Sequence, residues 1–193
     1  MPMTLSRTAR EPDLATFRAA FSQLPSGVSI VSVPYGDTVV GITVSSLSSL
    51  SADPPLLMFN VDRRARSHDL LVEAGCFGVN VLAEDQSSIS DHCARRGSSK
   101  DIAHLCMDAS TTSSPALADV AVHFDCTLEA VHPGGDHSIF VGRIHRIVLR
   151  DDIDPLVYCG GRYRRTERFP SSDAQPAVGQ WANIGDFHDW TFW

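Results

Sequence analysis

One stretch of this chain places a histidine directly before a strand-like run. In residues 132–147, HPGGDHSIFVGRIHRI, paired glycines precede Asp136 and His137, and a β-branched, apolar run follows. Histidine changes protonation near neutral pH and donates or accepts hydrogen bonds. A lone histidine in a turn usually bonds to its neighbour or to the backbone. Here the paired glycines allow a sharp exposed approach, and Gly142 in the run suggests close contact, so a histidine directed at a ligand is the second interpretation.

A second stretch is rich in small hydroxyl residues. TVSSLSSLSADPP begins at Thr43 and includes Ser45, Ser46 and Ser49. Small side chains let the backbone approach a flat polar ligand, and hydroxyl groups add hydrogen bonds along its edge. An ordinary polar loop is the alternative interpretation.

A third stretch combines arginines with the predicted start of a helix. In DRRARSHDLL, Arg63, Arg64, Arg66 and Ser67 come just before or within the first turn. A helix N-terminus offers unpaired N–H groups and a partial positive charge, and guanidinium groups add to this attraction for a phosphate. A solvated basic face that pairs with neighbouring aspartates is the alternative. Taken together, the three stretches predict a flat polar ligand that carries a phosphate.

Composition excludes several other classes of function. The formal net charge of -7 gives no general attraction to nucleic acid or to an anionic membrane. No G-x-G-x-x-G follows a predicted strand, so a Rossmann nucleotide site is not expected.

The five cysteines are odd in number and lie mostly in apolar runs, which is typical of reduced core residues. No metal site is predicted, because the spacing of His92, Cys93, His104 and Cys106 matches no common zinc pattern. The opening residues show no apolar leader, and we expect a cytoplasmic protein.

Periodicity predicts the elements that must position these residues. A helix is predicted from residue 11, with Asp13 as its N-cap, and a second over 67–75, with Ser67 as N-cap and Gly75 as its end. A third short helix covers 85–96. Strands are predicted at 27–33, 39–44, 54–61, 76–82, 122–130, 138–149 and 155–163. We expect residues 97–119 to form a long loop on the surface. In the 122–130 strand, the odd-numbered residues 123–129 should face solvent. The 138–149 strand should be covered by other parts of the protein on both faces. Six or seven mainly antiparallel strands favour a closed barrel.

The order of several segments resembles a known family. LPSGVSIV, GITVSSLSSLSADPPLLMFNVDRRARS, CFGVNVLAEDQ, CTLEAVHPGGDHSIFVGRI and PLVYCGGRY occur in this order over about residues 14 to 164. They resemble the short-chain flavin reductases of two-component flavin-dependent monooxygenases. The resemblance implies a mostly β fold, the FMN-binding split β-barrel, with Greek-key-like strands and a few short flanking helices.

The resemblance also implies roles for particular residues. Thr43, Ser45, Ser46, Leu47 and Ser49 match positions along the ring and ribityl chain of the flavin, although the family commonly has asparagine at the position of Ser45 and phenylalanine at that of Leu47. The phosphate would lie at Arg66 and Ser67, where the neighbouring Arg64 and Ala65 replace small hydroxyl residues. Asn80 matches a position beside the flavin. His137 would meet the nicotinamide nucleotide, with Asp136 setting the turn or orienting the imidazole, and Tyr163 would lie near the same pocket.

The implied function is an NAD(P)H:flavin oxidoreductase that supplies reduced FMN or FAD to a partner monooxygenase, acting as a homodimer. Two alternatives remain at this point: a flavoprotein that keeps its FMN and acts on another small molecule, and a flavin-binding module without efficient hydride transfer. We divide the chain into a loosely ordered segment 1–10, a barrel domain 11–168 and a tail 169–193. The tail holds all three tryptophans within residues 181–193, so we expect it either to pack on a subunit or to cover the flavin pocket.

Overall fold

The computed structural model describes residues 13–95, 97, 99–107 and 113–167. The predicted N-terminal segment and the aromatic tail lie outside these residues. The helices are α1 Leu14–Ser22, α2 Arg66–Ala74 and α3 Ser87–Ala94, with a 3-10 turn at Ala103–Leu105. The strands are β1 Ser26–Gly27, β2 Ser29–Tyr35, β3 Thr38–Val44, β4 Ser48–Ala52, β5 Pro55–Asp62, β6 Cys76–Val81, β7 Val122–Gly134, β8 His137–Leu149, β9 Val157–Cys159 and β10 Arg162–Arg164. None of the helices in the described ranges is long and apolar enough to cross a membrane.

Seven strands form one antiparallel sheet that curls around a core. Their order is β3-β2-β6-β7-β8-β5-β4, and β1, β9 and β10 form a small second sheet. Ile42 of β3, at one edge, and Leu57 of β5, next to the other edge, belong to the same buried cluster as Phe77 of β6 and Phe140 of β8. Because residues from both ends of the sheet share one core, the sheet is rolled up as in a barrel. The predicted mostly β, antiparallel fold is confirmed.

The ends of the helices follow local chemistry. The side chain of Asp13 caps α1 by accepting a hydrogen bond of 2.7 Å from the Thr16 backbone N–H. Gly75 ends α2 in the left-handed conformation, with φ of 63°, where a side chain would be strained. The predicted N-cap of α2 was wrong by two positions: Ala65 is the cap residue and Ser67 is buried inside the first turn. The N-terminal N–H groups of α2 therefore have no side-chain cap.

The serine-rich stretch contains a strand that periodicity did not predict. β4 is an edge strand that pairs with β5 and is largely exposed. Its serines show no alternation of apolar and polar residues, so periodicity did not indicate a strand. Gly142 does make a close approach, but to the core. A Cβ at this position would lie 2.8 Å from the Phe77 ring and 3.2 Å from the Leu57 side chain. This glycine accommodates core packing in the described structure.

The prediction that residues 97–119 form a surface loop is partly wrong. Ile102 and Leu117 are fully buried in a second core cluster together with Leu82 and Leu156. The segment 99–102 adds to the free edge of β3, where the Gly41 N–H donates to the Lys100 carbonyl at 2.9 Å. Part of this segment thus packs into the core, and part pairs with the edge of β3.

The prediction that the odd-numbered residues of β7 face solvent is also wrong at two positions. His123 and Asp125 are buried, because the segment 113–117 covers this face of the strand. Ser113 donates from both its backbone N–H and its hydroxyl to Asp125, at 2.8 and 2.7 Å. In β8, burial on both sides holds only near the start, and the strand is exposed beyond Ile144. All five cysteines are free thiols, as predicted, and burial raises the pKa of Cys93 to about 11.

Candidate functional site

A cavity of about 970 Å³ opens between β3, the end of β5 and the start of α2. Its apolar wall is formed by Val40, Ile42, Val44 and Leu70. Polar and charged groups surround this wall; they are Tyr35, Thr38, Thr43, Asn60, Asp62, Arg64, Arg66, Ser67, Ser99, Lys100, Asp101 and His137. An apolar surface with a few convergent polar groups is typical of a small-molecule site.

Two chain segments run in opposite directions along the cavity. The Asn60 N–H donates to the Ser46 hydroxyl at 2.9 Å, which places Asn60 beside the end of β3. Arg66 reaches the opposite end, where its guanidinium carbon lies 5.9 Å from the centre of the Tyr35 ring. Tyr35 pairs with Thr38 at the start of β3. The segment 60–66 therefore runs antiparallel to β3, from the end of that strand towards its start.

His137 lies on the wall of the cavity, at the level of Asp62. The two residues face each other across the β5–β8 pairing. The His137 Nδ1 is 2.8 Å from a carboxylate oxygen of Asp136. This hydrogen bond, followed by the charge interaction with His137, lowers the pKa of Asp136. Since an ionised carboxylate only accepts, Nδ1 carries the proton and Nε2 is the nitrogen available to a ligand.

The start of α2 provides the positive end of the cavity. The N-cap residue Ala65 makes no side-chain hydrogen bond to the helix, so the N–H groups of Arg66 and Ser67 have no side-chain cap. The Arg64 guanidinium instead forms a forked pair with Asp62, at 3.2 and 3.1 Å, and this lowers the pKa of Asp62 to about 2. The guanidinium of Arg66 forms no ion pair with any residue in the described ranges. It is therefore free to bind an anion.

Two tethers connect the start of α2 to the His137 strand. The Arg63 N–H donates to the Asp136 carbonyl at 3.0 Å. The His68 Nε2 lies 2.9 Å from the hydroxyl of Ser138, and its ring packs edge-on against Phe140. The start of α2 and the histidine are thus fixed relative to each other by contacts that pattern recognition did not identify.

The structure brings part of the predicted site together. Thr43, Arg66, Ser67 and His137 all line the cavity. The Thr43 hydroxyl donates to the Ser90 carbonyl of α3 at 2.8 Å, which leaves its oxygen lone pairs for another partner.

Other predicted residues do not line the cavity. The Ser46 hydroxyl binds the β5 backbone, and Leu47 packs on the main core. Ser45 and Ser49 are exposed beyond the end of β3. Asp136 lies behind His137, to which it is bonded.

Asn80 and Tyr163 are placed elsewhere. Asn80 is fully buried on the opposite side of the sheet, where its amide donates to the Ile30 carbonyl and its oxygen accepts from the Leu117 N–H, at 3.0 and 2.9 Å. Tyr163 lies behind α3, and its hydroxyl is 2.7 Å from Asp91. The described structure thus gives both side chains partners within the fold and no contact with the cavity.

Several cavity residues were missed by sequence reasoning. Asn60 lies in the strand predicted at 54–61 and Asp62 directly follows it; both point away from the core that Phe59 and Val61 enter, as the alternation of that strand indicates. Tyr35 stands at a hairpin turn, where an aromatic residue has no obvious core role. Lys100 had the clearest signal, because it is the only lysine in the chain. No carboxylate in the described ranges lies at ion-pair distance from its ammonium group.

Comparison with known proteins matches this arrangement. The model of the flavin reductase like domain matches residues 21–167. An NADH-dependent flavin reductase of Rhodococcus is 35% identical over 153 residues, covering 78% of this chain and 85% of that protein. The reductase component of 4-hydroxyphenylacetate 3-monooxygenase from Thermus thermophilus is 35% identical over 149 residues, covering 77% and 94%.

Solved structures agree in fold. The flavin reductase component of a bacterial two-component tryptophan halogenase superimposes with a TM-score of 0.75 at 35% identity, over 81% of this chain and 100% of that one. An NADH:FAD oxidoreductase of Streptomyces globisporus gives a TM-score of 0.75 at 28% identity, over 83% and 96%. The family model alone spans more than half of the chain. This protein therefore belongs to the family of flavin reductase like domains.

Proposed function

We propose that this protein is an NAD(P)H:flavin oxidoreductase that transfers a hydride from a reduced nicotinamide nucleotide to FMN or FAD. The observation that carries this proposal is the cavity itself, in which an uncapped helix start with a free arginine and a histidine with a free Nε2 lie along one apolar wall. Membership of the flavin reductase like family supports it.

The residues present fit a flavin. The cavity volume of about 970 Å³ lies at the upper end of the usual range for small-molecule sites, about 300–1,000 Å³. Ile42 and Val44 would contact the ring, and the Thr43 oxygen and Asn60 would bond to its polar edge. The N–H groups at the start of α2, with Arg66 and Ser67, would hold the phosphate.

His137 would position the nicotinamide. Because its Nδ1–H is committed to Asp136, the neutral imidazole offers Nε2 as an acceptor for the N–H of the carboxamide group. The bond would orient the nicotinamide over the flavin ring without transferring a proton. The protein then contributes proximity and orientation, which are large contributions when two reactants must meet in one geometry. When bound, a flavin would supply the electron-accepting chemistry for a hydride donated by the nicotinamide.

Supply of reduced flavin to a partner monooxygenase is the proposed role of the product. Relatives named as reductase components of monooxygenases support this role. We further propose a cytoplasmic homodimer. One face of α1 carries Leu14, Phe17 and Phe21, whose exposed fractions are 63%, 51% and 59%. So apolar a helix face is typical of a surface that a second subunit covers.

The test is the rate of NADH and NADPH oxidation by the purified protein with no flavin, with FMN and with FAD, together with its visible absorption spectrum. Turnover that saturates with added flavin is expected. A yellow protein that oxidises neither nucleotide would reject the reductase function. Sedimentation velocity tests the homodimer, and a Phe17→Glu/Phe21→Glu variant should sediment as a monomer.

A further inference from the structure

Helix α3 connects the cavity to the small sheet of β1, β9 and β10. The last residue of the helix, Ala94, lines the cavity. On the side of the small sheet, the Tyr163 hydroxyl of β10 lies 2.9 Å from the Ser90 hydroxyl and 2.7 Å from the Asp91 carboxylate. The tyrosine thus binds two successive residues of a helix that reaches the cavity.

Ser90 is bonded from two sides. Its side chain is the partner of Tyr163, and its backbone carbonyl accepts the hydrogen bond of 2.8 Å from the Thr43 hydroxyl. Ser90 is only 1% exposed, so water does not compete for these bonds. One buried residue therefore links a tyrosine outside the cavity to a threonine that lines it.

The packing of α3 on β3 makes this link stiff. A Cβ added at Gly41 would lie 2.6 Å from the Cys93 Sγ, so the helix lies directly against the strand backbone there. Ser90 precedes Cys93 by three positions, and Thr43 follows Gly41 by two; each spacing keeps both residues on one face of their element. A close-packed contact of this kind transmits a displacement of the helix to the strand.

Tyr163 is suited to hold the helix in place. Its ring packs against the second core cluster and lies edge-on to Tyr158, with 5.6 Å between the ring centres. Burial raises the pKa of Tyr163, so its hydroxyl keeps its proton at neutral pH and can donate it to α3. A fixed ring with a protonated hydroxyl provides a stable anchor for Ser90 and Asp91.

The position of the Ser90 carbonyl determines what Thr43 offers to a ligand. While the Thr43 hydroxyl donates to that carbonyl, its oxygen presents only lone pairs to the cavity. Without this acceptor the hydroxyl rotates among several orientations, and a ligand must then select one of them. Fixing the orientation before the ligand arrives removes that cost from binding.

We propose that Tyr163 is a positioning residue for flavin binding, which holds α3 through Ser90 so that Thr43 presents its oxygen to a hydrogen-bond donor of the flavin. This inference rests on the proposed flavin-binding function. It adds a residue that affects the ligand from outside the cavity, without touching it.

The test is a double-mutant cycle on the dissociation constant of FMN, measured by fluorescence quenching. Thr43→Val should weaken FMN about fivefold, the loss typical of one hydrogen bond. Tyr163→Phe should weaken it about threefold, within the range for residues that act on a site through others. The double variant should match Thr43→Val alone, because both changes act through one hydroxyl. Additive losses would overturn the proposal.

Matched variants separate this role from a general effect on the fold. Thr43→Ser keeps the hydroxyl, so Tyr163→Phe should still weaken FMN about threefold in that background. An equal loss in the Thr43→Val and Thr43→Ser backgrounds would show a merely structural role. Tyr158→Phe is the control, since Tyr158 pairs directly with Tyr163 and does not line the cavity; its FMN affinity should be that of the wild type.

Hydrogen exchange gives a second measurement. If the position of α3 favours flavin binding, then flavin binding must favour that position of α3 to the same extent. Saturating FMN should therefore slow exchange of the amides in residues 87–93 of the wild type about threefold, and should slow it little in Thr43→Val. Equal protection in both would show that FMN acts on the helix through Ala94, and would refute the role of Thr43.

Failure of the flavin function itself has a different signature. In that case neither riboflavin nor FMN would bind to the wild type. Binding of FMN to the wild type combined with additive losses in the cycle would reject only the role of Tyr163.

Discussion

Replacement of His137 by alanine should weaken use of the nicotinamide nucleotide while leaving flavin binding nearly unchanged. The His137 side chain is 45% exposed, and its single free nitrogen offers one hydrogen bond to the nucleotide. A hydrogen bond of this kind contributes about 1 kcal/mol, which corresponds to about fivefold in affinity. We therefore expect the KM for NADH to rise about fivefold.

The assay is steady-state oxidation of NADH at saturating flavin, with flavin dissociation constants measured separately. Flavin affinity should change less than twofold. His132→Ala is the matched control, because His132 lies on the same hairpin, is exposed and does not line the cavity. Loss of flavin affinity with an unchanged KM for NADH would refute the assignment of His137 to the nucleotide.

Asp136 gives the same prediction an internal check. It acts through the imidazole, since its carboxylate fixes which nitrogen of His137 is free. Asp136→Ala should raise the KM for NADH in the same direction but by less than His137→Ala. The double variant should match His137→Ala alone, because residues that act through one contact are not additive. Additive effects would show that Asp136 has a separate role.

Three other predictions address the phosphate, the interior and pH. Arg66→Ala combined with Ser67→Ala should weaken FMN about tenfold more than riboflavin, since only FMN has the phosphate; equal losses in a binding titration would contradict this. Asn80→Ala should lower the free energy of unfolding in urea by about 2–4 kcal/mol, because it leaves the Ile30 carbonyl and the Leu117 N–H unpaired, and flavin affinity of the folded variant should not change. Burial lowers the pKa of His123 in the folded state, so the unfolded chain binds the extra proton as pH falls below about 6.5, and stability should fall with it by at most about 1.4 kcal/mol per pH unit. A His123→Asn variant with the same slope would exclude this histidine as the cause.

Much of the fold was predictable because its signals are local. Asp13 caps α1, Gly75 ends α2, and a short turn connects β2 to β3, as periodicity and turn chemistry indicated. These features depend on residues within a few positions of each other, so a single sequence contains them. The serines of β4 have no such pattern, and that strand forms only because β5 offers it an edge.

Burial on the polar side of the sheet was not predictable from alternation. His123 and Asp125 alternate with apolar residues as a solvent-exposed face would, yet both are buried: Ser113 hydrogen-bonds to Asp125, and the His123 Nδ1 lies 2.9 Å from the Asn80 side-chain oxygen. Asn80 joins the same interior network, although the family resemblance implied a place beside the flavin. The sequence does not distinguish a polar residue that hydrogen-bonds to water from one that hydrogen-bonds to a neighbouring segment of the chain.

The sequence by itself determined the chemical parts of the site: a histidine before a strand, arginines at a helix start and hydroxyl residues after another strand. Only the tertiary structure decided which of them share one cavity. The register of β5 and β8 places His137 opposite Asp62. Lys100 and Tyr35 line the same cavity, although they are far apart in the chain. Register and the packing of distant segments depend on contacts between residues that no local pattern connects, and the shared core of β3 and β5 fixes them.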